Sequence, residues 1–218
     1  MHRIIEEDIC NICKEPLPWG ELKKKKILVT GASGFLASYI VYTLLECNFY
    51  YYLDMSLYVL CRNIKKAREK FQKYLDNRQL ILLLQDVRED IAYDLKFDII
   101  IHAASPANRY MCEIRPWEVV ETNVLAYDKL FKNLNGNSKL LFISSSAVYG
   151  SDTPYEVDET YRTAIDFASY KNVYAISKQM CEMISDVMRT RGKTEISIVR
   201  PFVVFGPGDK YKNGKALT

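Results

Sequence analysis

Short apolar runs alternate with longer stretches of helical periodicity along most of this chain. The runs are rich in Ile, Leu and Val and are bounded by polar or turn-forming residues, a pattern typical of buried parallel strands joined by crossover helices. Strands are predicted at residues 27–30, 57–60, 80–84, 98–102, 139–144 and 196–199, and helices at 35–47, 64–75, 116–134 and 173–189. This order indicates an α/β protein with a doubly wound parallel sheet of the Rossmann type.

The segment before the first predicted strand has a different character. Residues 1–25 begin with an acidic, helix-like stretch and continue into Pro16-Leu-Pro-Trp19, which we expect to form a clasp on the surface. The whole chain has 218 residues, of which 49% are hydrophobic, enough to bury one substantial core. We therefore expect an N-terminal extension over 1–25 and one dinucleotide-binding domain over 26–218.

A glycine-containing turn follows the first predicted strand directly. It reads Gly31-Ala-Ser-Gly34-Phe-Leu-Ala37 and leads into the first crossover helix. Gly31 permits a tight turn, Gly34 lets the backbone approach a pyrophosphate, and Ala37 allows the helix to pack closely on the strand. The spacing differs from the commoner Gly-x-Gly-x-x-Gly and would indicate an ordinary loop without its flanks. Because the strand and the helix are both present, we interpret the turn as a cofactor site.

A second chemical signal is a tyrosine four residues before a lysine. Tyr174 and Lys178 share one face of a predicted helix, and Ser145 lies upstream at the end of a predicted strand. A nearby ammonium favours the charged form of a phenol and lowers its pKa, so Tyr174 can act as a general base. Tyr-x-x-x-Lys alone is weak evidence in a chain with 16 tyrosines. It gains weight from the glycine turn.

Taken in order, these and further motifs resemble the extended short-chain dehydrogenase/reductases, and more narrowly the NAD-dependent epimerase/dehydratase family that acts on nucleotide sugars. The motifs are residues 30–37, Asp86-Val87, His102-Ala-Ala104, Asn123, Ser145 with Val148-Tyr-Gly150, Tyr174 with Lys178, and Arg200-Pro201 followed by Phe205-Gly-Pro-Gly208. The resemblance extends from about residue 26 to the C-terminus.

The resemblance implies a role for each catalytic residue. Tyr174 is the acid/base, Lys178 tunes it and holds the nicotinamide ribose, and Ser145 binds the reacting sugar hydroxyl. Ser144 and Ser146 are expected to be structural because alternate side chains of a strand point to opposite faces. The predicted cofactor-binding residues are Gly31, Ser33, Gly34, Phe35, Leu36, Arg62, Asp86, Val87, Ala103, Ala104, Ser105, Asn123, Tyr174, Lys178 and Pro201. In the family the acid at Asp86 binds adenine; on its own, Asp86 would be a turn residue.

The end of the second strand bears on the choice of cofactor. An acidic residue about twenty positions past the glycines would bind the adenosine ribose. The strand instead ends near Arg62, which suits a 2′-phosphate, and Asp54 is the competing candidate if the strand starts earlier. We favour Arg62, and expect NAD as the cofactor with NADP left open.

Reaction type is indicated by the residues after Ser145. Dehydratases and decarboxylases of the family carry an acid between the catalytic hydroxyl and Val-Tyr-Gly, whereas this chain has Ser146-Ala147. An epimerase or ketoreductase acting on a nucleotide sugar is therefore favoured. A 4,6-dehydratase or a UDP-glucuronate decarboxylase-like enzyme is the alternative. Family members continue beyond the position of Thr218 into a substrate-binding lobe, so we expect that lobe to be largely missing from this chain. For that reason a second hypothesis, of a different functional class, is a non-catalytic module that binds NAD(P).

Charge and cysteine content bear on which partners the protein binds and on whether it holds a metal. A net charge of +3 gives no electrostatic footprint for nucleic acid, and no apolar stretch reaches membrane-spanning length. We expect a cytoplasmic protein that does not bind membranes. Among six cysteines, Cys10 and Cys13 form the only close pair and have no partner pair at zinc spacing, so reduced thiols and no metal are expected. The resemblance implies a homodimer through a bundle of the helices at 116–134 and 173–189.

Overall fold

One parallel sheet of six strands, in the order β3-β2-β1-β4-β5-β6, organises the chain. The computed structural model describes residues 1–92, 94–106, 109–151, 154, 156–192 and 194–209. The strands are β1 Lys26–Thr30, β2 Ser56–Cys61, β3 Leu80–Leu84, β4 Phe97–His102, β5 Leu134–Ile143 and β6 Thr194–Val199. The predicted α/β fold with a doubly wound parallel sheet is confirmed.

Helices cover the sheet and connect its strands. They are α1 Arg3–Lys14, α2 Phe35–Tyr50, α3 Ile64–Lys70, α4 Arg109–Ile114, α5 Pro116–Val120, α6 Ala126–Leu130 and α7 Val173–Thr190. The predicted helix at 116–134 is interrupted, because a π-helical turn at Glu121–Leu125 separates α5 from α6. None of the helices among the described residues combines the length and the apolar character needed to span a bilayer.

The strand order reverses beside β1, which pairs with β2 on one side and β4 on the other. Val29 lies opposite Val59 of β2 and Ile101 of β4, so the three strands share a register at the centre of the sheet. Ile27, Leu28 and Val29 are all buried, as expected for a strand covered on both faces. The crevice at the carboxyl ends of β1 and β4 is the position where open α/β sheets bind ligands.

The largest departure from the predicted strands is in β5. The strand begins at Leu134 rather than 139, and its pairing with β4 shifts register between Phe97 and Ile99. Its first residues include Asn135, Gly136 and Asn137, whose polarity and turn preference conceal the strand from a hydrophobic pattern. The apolar half that pairs with β6 is the part that was predicted.

The N-terminal segment packs on the core through α1. Ile5, Ile9 and Cys13 form its buried face against α2, and Cys13 Sγ lies 2.9 Å from Cys47 Sγ. Trp19, in the predicted clasp, stacks on Tyr51 with 6.4 Å between ring centroids. The helical start is confirmed, and the boundary at residue 25 stays a prediction. All six cysteines are free thiols.

Candidate active site and cofactor cleft

A cleft of about 400 Å³ opens at the carboxyl ends of β1, β2 and β4. Most of the predicted cofactor-binding residues line it. They are Gly31, Ser33, Gly34, Arg62, Asp86, Val87, Ala103, Ala104 and Ser105. Seven further residues line the cleft and were not predicted, among them the polar Asn63, Lys66, Glu118 and Thr122. These four polar residues belong to no recognised motif, and only the tertiary fold brings them to the edge of the cleft.

Gly31 forms the floor of this cleft by bringing two backbone segments together. Its φ is +64°, and a Cβ there would lie 2.7 Å from Ala104 Cα and 2.9 Å from the Ala103 carbonyl oxygen. The Gly34 N–H donates to the Gly31 carbonyl at 2.8 Å and Gly34 caps the N-terminus of α2. Only glycine satisfies both the left-handed conformation and the close approach. The turn thus has the backbone-walled form that admits a pyrophosphate.

A buried threonine and histidine fix the strand ends beneath Gly31. The amides of Ala103 and Ala104 both donate to Thr30 Oγ1 at 3.2 Å, so the Thr30 hydroxyl donates to His102 Nδ1 at 2.8 Å. His102 therefore carries its proton on Nε2, for which no hydrogen-bond partner exists among the described residues. Burial and the nearby Lys178 lower the pKa of His102 to about 3 and keep it neutral.

The three predicted catalytic residues come together beside the cleft. The phenol of Tyr174 has the side chains of Ser145 and Ser105 as hydrogen-bonding neighbours. Lys178 is buried, with its Nζ 5.9 Å from the Tyr174 ring centroid and 4.8 Å from that of Phe142. A phenol, a hydroxyl and an ammonium thus share one site, as the motif spacing predicted.

The net shift of the Tyr174 pKa is upward, whereas the sequence predicts a downward shift from the neighbouring ammonium. Burial raises the pKa of Tyr174, and hydrogen bonding with Ser145 and Ser105 opposes this without reversing it. Lys178 Nζ donates to the Ile143 carbonyl at 2.8 Å, so its charge is committed to the end of β5. Burial also lowers the pKa of Lys178 to about 8. Tyr174 therefore rests as a neutral phenol, which can donate a proton and must first ionise before it can accept one.

Asn123 connects the π-helical turn to α7. Its Nδ2 donates to Ser177 Oγ and its Oδ1 accepts from Ser105 Oγ, both at 2.8 Å. Its backbone carbonyl accepts from Cys181 Sγ at 3.0 Å. A π-turn widens the helix, and such turns are frequent at functional sites. Asn123 thus links Ser105 to α7, the helix that carries Tyr174. The sequence motifs did not predict this link.

At the end of the cleft beside β2 and β3, Asp86 forms ion pairs with two arginines. Arg88 donates to it from its backbone N at 2.9 Å and from Nε and Nη2 at 3.0 Å each, and this pairing lowers the pKa of Asp86. Arg62 lies 3.7 Å from Asp86 and 3.4 Å from Glu118. Arg62 follows the carboxyl end of β2, whereas Asp54 precedes β2 and so lies at the opposite edge of the sheet. The structure agrees with the Arg62 register.

Phe35, Leu36 and Pro201 do not line this cleft. Phe35 and Leu36 line a separate apolar groove with the segment 204–207. The carbonyl of Pro201 accepts from the Ser146 N–H at 3.0 Å. Their assignment as cofactor-binding residues stays a prediction.

A partly buried ion pair holds the strand end that carries Ser145. Arg200 donates to Glu182 from Nε at 3.0 Å and from Nη2 at 2.6 Å, and Ser144 Oγ donates to the same carboxylate at 2.6 Å. This confirms the structural role predicted for Ser144. The pair joins β5, β6 and α7, and so fixes the position of the next residue, Ser145.

Comparison with known proteins agrees with this geometry. UDP-glucuronic acid decarboxylase 3 of Arabidopsis thaliana is 25% identical over 195 residues, which cover 88% of this chain and 55% of that protein. The crystal structure of UDP-N-acetylglucosamine 4-epimerase from Methanobrevibacter ruminantium, in complex with UDP-N-acetylmuramic acid, superposes with a TM-score of 0.72 at 25% identity, covering 90% of this chain and 60% of that one.

A further solved structure supports the fold. UDP-glucuronic acid 4-epimerase from Bacillus cereus, in complex with UDP-glucuronic acid and NAD, has a TM-score of 0.70 at 23% identity and covers 85% of this chain and 59% of that one. The chain thus spans little more than half the length of these relatives. The model of the NAD dependent epimerase/dehydratase family matches residues 27–217. The predicted resemblance is confirmed, and the chain belongs to the NAD dependent epimerase/dehydratase family.

Proposed function

We propose that this chain binds NAD and carries the catalytic groups of an enzyme that transiently oxidises a nucleotide sugar, of the epimerase or ketoreductase type. The observation that carries the proposal is the position of Ser145, Tyr174 and Lys178 beside the Gly31 cleft. The cleft fits a dinucleotide because its floor excludes any side chain at residue 31. The family is named for its dependence on NAD.

The chain's own residues would perform the proton chemistry. NAD, when bound, supplies the acceptor and later the donor of a hydride at the sugar carbon. Ser145 orients the sugar hydroxyl through its Oγ, and Tyr174, once ionised to the phenolate, takes the hydroxyl proton to become a phenol and later returns that proton. Lys178, whose pKa of about 8 lies near neutral pH, balances the charge that forms when Tyr174 becomes a phenolate.

Ala147 favours epimerisation or keto reduction over elimination. It occupies a place where the dehydratases and decarboxylases carry an acid, and the Ser145 hydroxyl accepts its N–H at 3.1 Å. No carboxylate thus stands directly after the Ser145 turn to help expel water or carbon dioxide. The similarity to a UDP-glucuronic acid decarboxylase supports the decarboxylase alternative. Product analysis after incubation with UDP-glucuronate decides between a pentose and an epimer.

The proposal is tested by cofactor titration followed by a substrate screen. We expect NADH fluorescence to change saturably on binding, and one of a panel of UDP-, dTDP-, GDP- and CDP-sugars to be converted by the wild type. Tyr174→Phe should keep NADH affinity and lose conversion, because only the acid/base group is removed. Unchanged conversion by Tyr174→Phe contradicts the mechanism. Cofactor binding without conversion of any sugar, even when a C-terminal substrate lobe is supplied, would instead support a non-catalytic module.

We also propose that α5 and α7 form a homodimer face. Large apolar side chains are exposed along these neighbouring helices and the π-turn. They are Trp117, Leu125, Met180, Met183 and Val187. Burying such a stripe against a second copy removes apolar area from water, as a stable interface requires.

A further inference from the structure

Two buried thiols outside the proposed catalytic site lie in contact between α1 and α2. Cys13 Sγ is 2.9 Å from Cys47 Sγ, and both side chains are buried free thiols. A disulfide bond is about 2.0 Å long, so the two sulfurs need to approach by less than about 1 Å to be joined. No step of the proposed sugar oxidation uses either sulfur.

The surrounding contacts hold the two helices together at this point. Cys13 continues the buried stripe of Ile5 and Ile9, whose spacing of four residues places all three on one face of α1. The hydroxyl of Tyr51, directly after α2, donates to the Cys13 carbonyl at 2.6 Å. The Cys13 thiol lies 3.8 Å from the Thr43 carbonyl oxygen of α2. A bond between the sulfurs would therefore join two helices that are already docked.

The hydrogen bonds give the two sulfurs different chemical roles. The Cys13 thiol donates to the Thr43 carbonyl, so towards Cys47 it presents a lone pair and accepts the Cys47 hydrogen. Burial raises the pKa of both thiols. The hydrogen bond between them opposes this rise at Cys13 and adds to it at Cys47. Cys13 is therefore the easier of the two to ionise, and the thiolate is the nucleophilic form.

A cavity between α1 and the end of α2 gives a small oxidant access to Cys13. Its volume is about 240 Å³, and its lining includes Cys10, Cys13, Phe49 and Lys73. Hydrogen peroxide is little larger than water, which occupies about 30 Å³, and so fits this cavity. Cys47 is fully buried. An oxidant in the cavity thus meets Cys13 first.

We propose that Cys13 and Cys47 are an oxidation site at which a hydroperoxide creates a disulfide between α1 and α2. The Cys13 thiolate attacks one peroxide oxygen, the O–O bond breaks, and hydroxide leaves and takes up the proton that the Cys13 thiol had released. The product is a sulfenic acid on Cys13. The Cys47 sulfur then attacks the sulfenic sulfur, the S–O bond breaks, and the hydroxyl leaves as water with the Cys47 proton. One peroxide is reduced to two waters while two thiols are oxidised to one disulfide, which a thiol reductant reverses.

The disulfide constrains the part of the chain that carries the cofactor turn. It closes a loop of about 35 residues, which includes β1 and Gly31, and so lowers the entropy of the unfolded chain. The oxidised protein should melt about 5–15 °C higher than the reduced one. The affinity for NADH should not change, because neither sulfur lines the cofactor cleft.

The test is the cross-link itself, together with the change in Tm. The protein is treated with hydrogen peroxide, the remaining thiols are alkylated, and the digest is examined by mass spectrometry for a Cys13–Cys47 peptide pair. The change in Tm is taken between the treated protein and the same sample after dithiothreitol, which reduces the disulfide and leaves methionine sulfoxide unchanged. Cys13→Ala and Cys47→Ala should each lose both the cross-link and the change in Tm.

The exposed neighbour Cys10 supplies the matched control. Cys10→Ser removes a thiol from the same cavity and should keep the cross-link and the change in Tm. Cys13 and Cys47 remaining unlinked under peroxide, a disulfide between Cys10 and Cys13 in their place, or a change in Tm that persists in Cys47→Ala overturns the proposal. The cross-link in the wild type decides the question if an alanine variant fails to fold. Neither cofactor nor sugar is needed, so the result is independent of the proposed function.

Discussion

The substitution of Gly31 by alanine tests how the cofactor cleft is built. The new Cβ would meet backbone atoms only, at 2.7 Å from Ala104 Cα, 2.8 Å from Ala104 N and 2.9 Å from Ala103 O. Holding alanine at a φ of +64° costs about 1–2 kcal/mol. Moving the β4 end away costs about 1–3 kcal/mol more, as overpacking does. We expect a loss of about 2–5 kcal/mol in the free energy of unfolding.

Two other glycines separate these costs. Gly192 has a φ of +73° and open space around it, so Gly192→Ala should show only the conformational cost of about 1–2 kcal/mol. Gly20 has open space and no unfavourable φ, so Gly20→Ala should change stability by no more than about 0.5 kcal/mol. Stability is measured by urea unfolding with the slope m compared between variants.

Cofactor binding completes this test. Gly31→Ala should weaken NADH binding by at least about tenfold at temperatures where the chain stays folded, because the β1 and β4 ends move apart. Gly192→Ala and Gly20→Ala should bind as the wild type does. The reasoning is refuted if Gly31→Ala is no less stable than Gly192→Ala, or if it binds NADH with unchanged affinity.

Three further predictions follow from the charges and surfaces of the site. The free energy of unfolding of the wild type, relative to that of Lys178→Met, should rise by on the order of 2–3 kcal/mol between pH 8 and 10.5. The reason is that the pKa of Lys178 is lowered to about 8 in the folded protein, so that in this range the unfolded chain binds one more proton than the folded one. If the urea midpoints of the two proteins change in parallel with pH, this prediction is contradicted. Arg62→Asp should raise the ratio of the NADPH to the NADH dissociation constant roughly ten- to a hundredfold in fluorescence titration; a constant ratio removes Arg62 from cofactor choice. Met183→Glu should convert a dimer to a monomer in analytical ultracentrifugation, and a wild-type monomer would refute the proposed face.

The sequence predicted the parts of the fold that depend on local pattern. Apolar runs identified all six strands, and Gly31 with Gly34 marked the turn, because each signal lies within a few neighbouring residues. The start of β5 was missed since Asn135 and Gly136 do not read as strand. Its extension depends on pairing with β4, which a local pattern does not contain.

The candidate site, like the fold, has features that the local sequence predicts and others that depend on long-range contacts. Spacing placed Tyr174 and Lys178 on one helix face, but the direction of the Lys178 ammonium depends on the Ile143 carbonyl at the end of β5. The π-turn at Asn123 depends on contacts with α7. The hydrogen bonds from Arg88 to Asp86 depend on a turn that motif spacing does not describe. Long-range contacts therefore set the charge state and donor direction of groups that the sequence identified only by type.

The central claim is that Tyr174 performs the proton transfer beside a bound NAD. Its most direct test is the absorbance of reduced nicotinamide formed when a converted nucleotide sugar is added to protein saturated with NAD. The wild type should form reduced cofactor in the first turnover, and Tyr174→Phe, binding NAD equally well, should form it at least about a hundredfold more slowly. Equal rates for the two proteins would contradict the account.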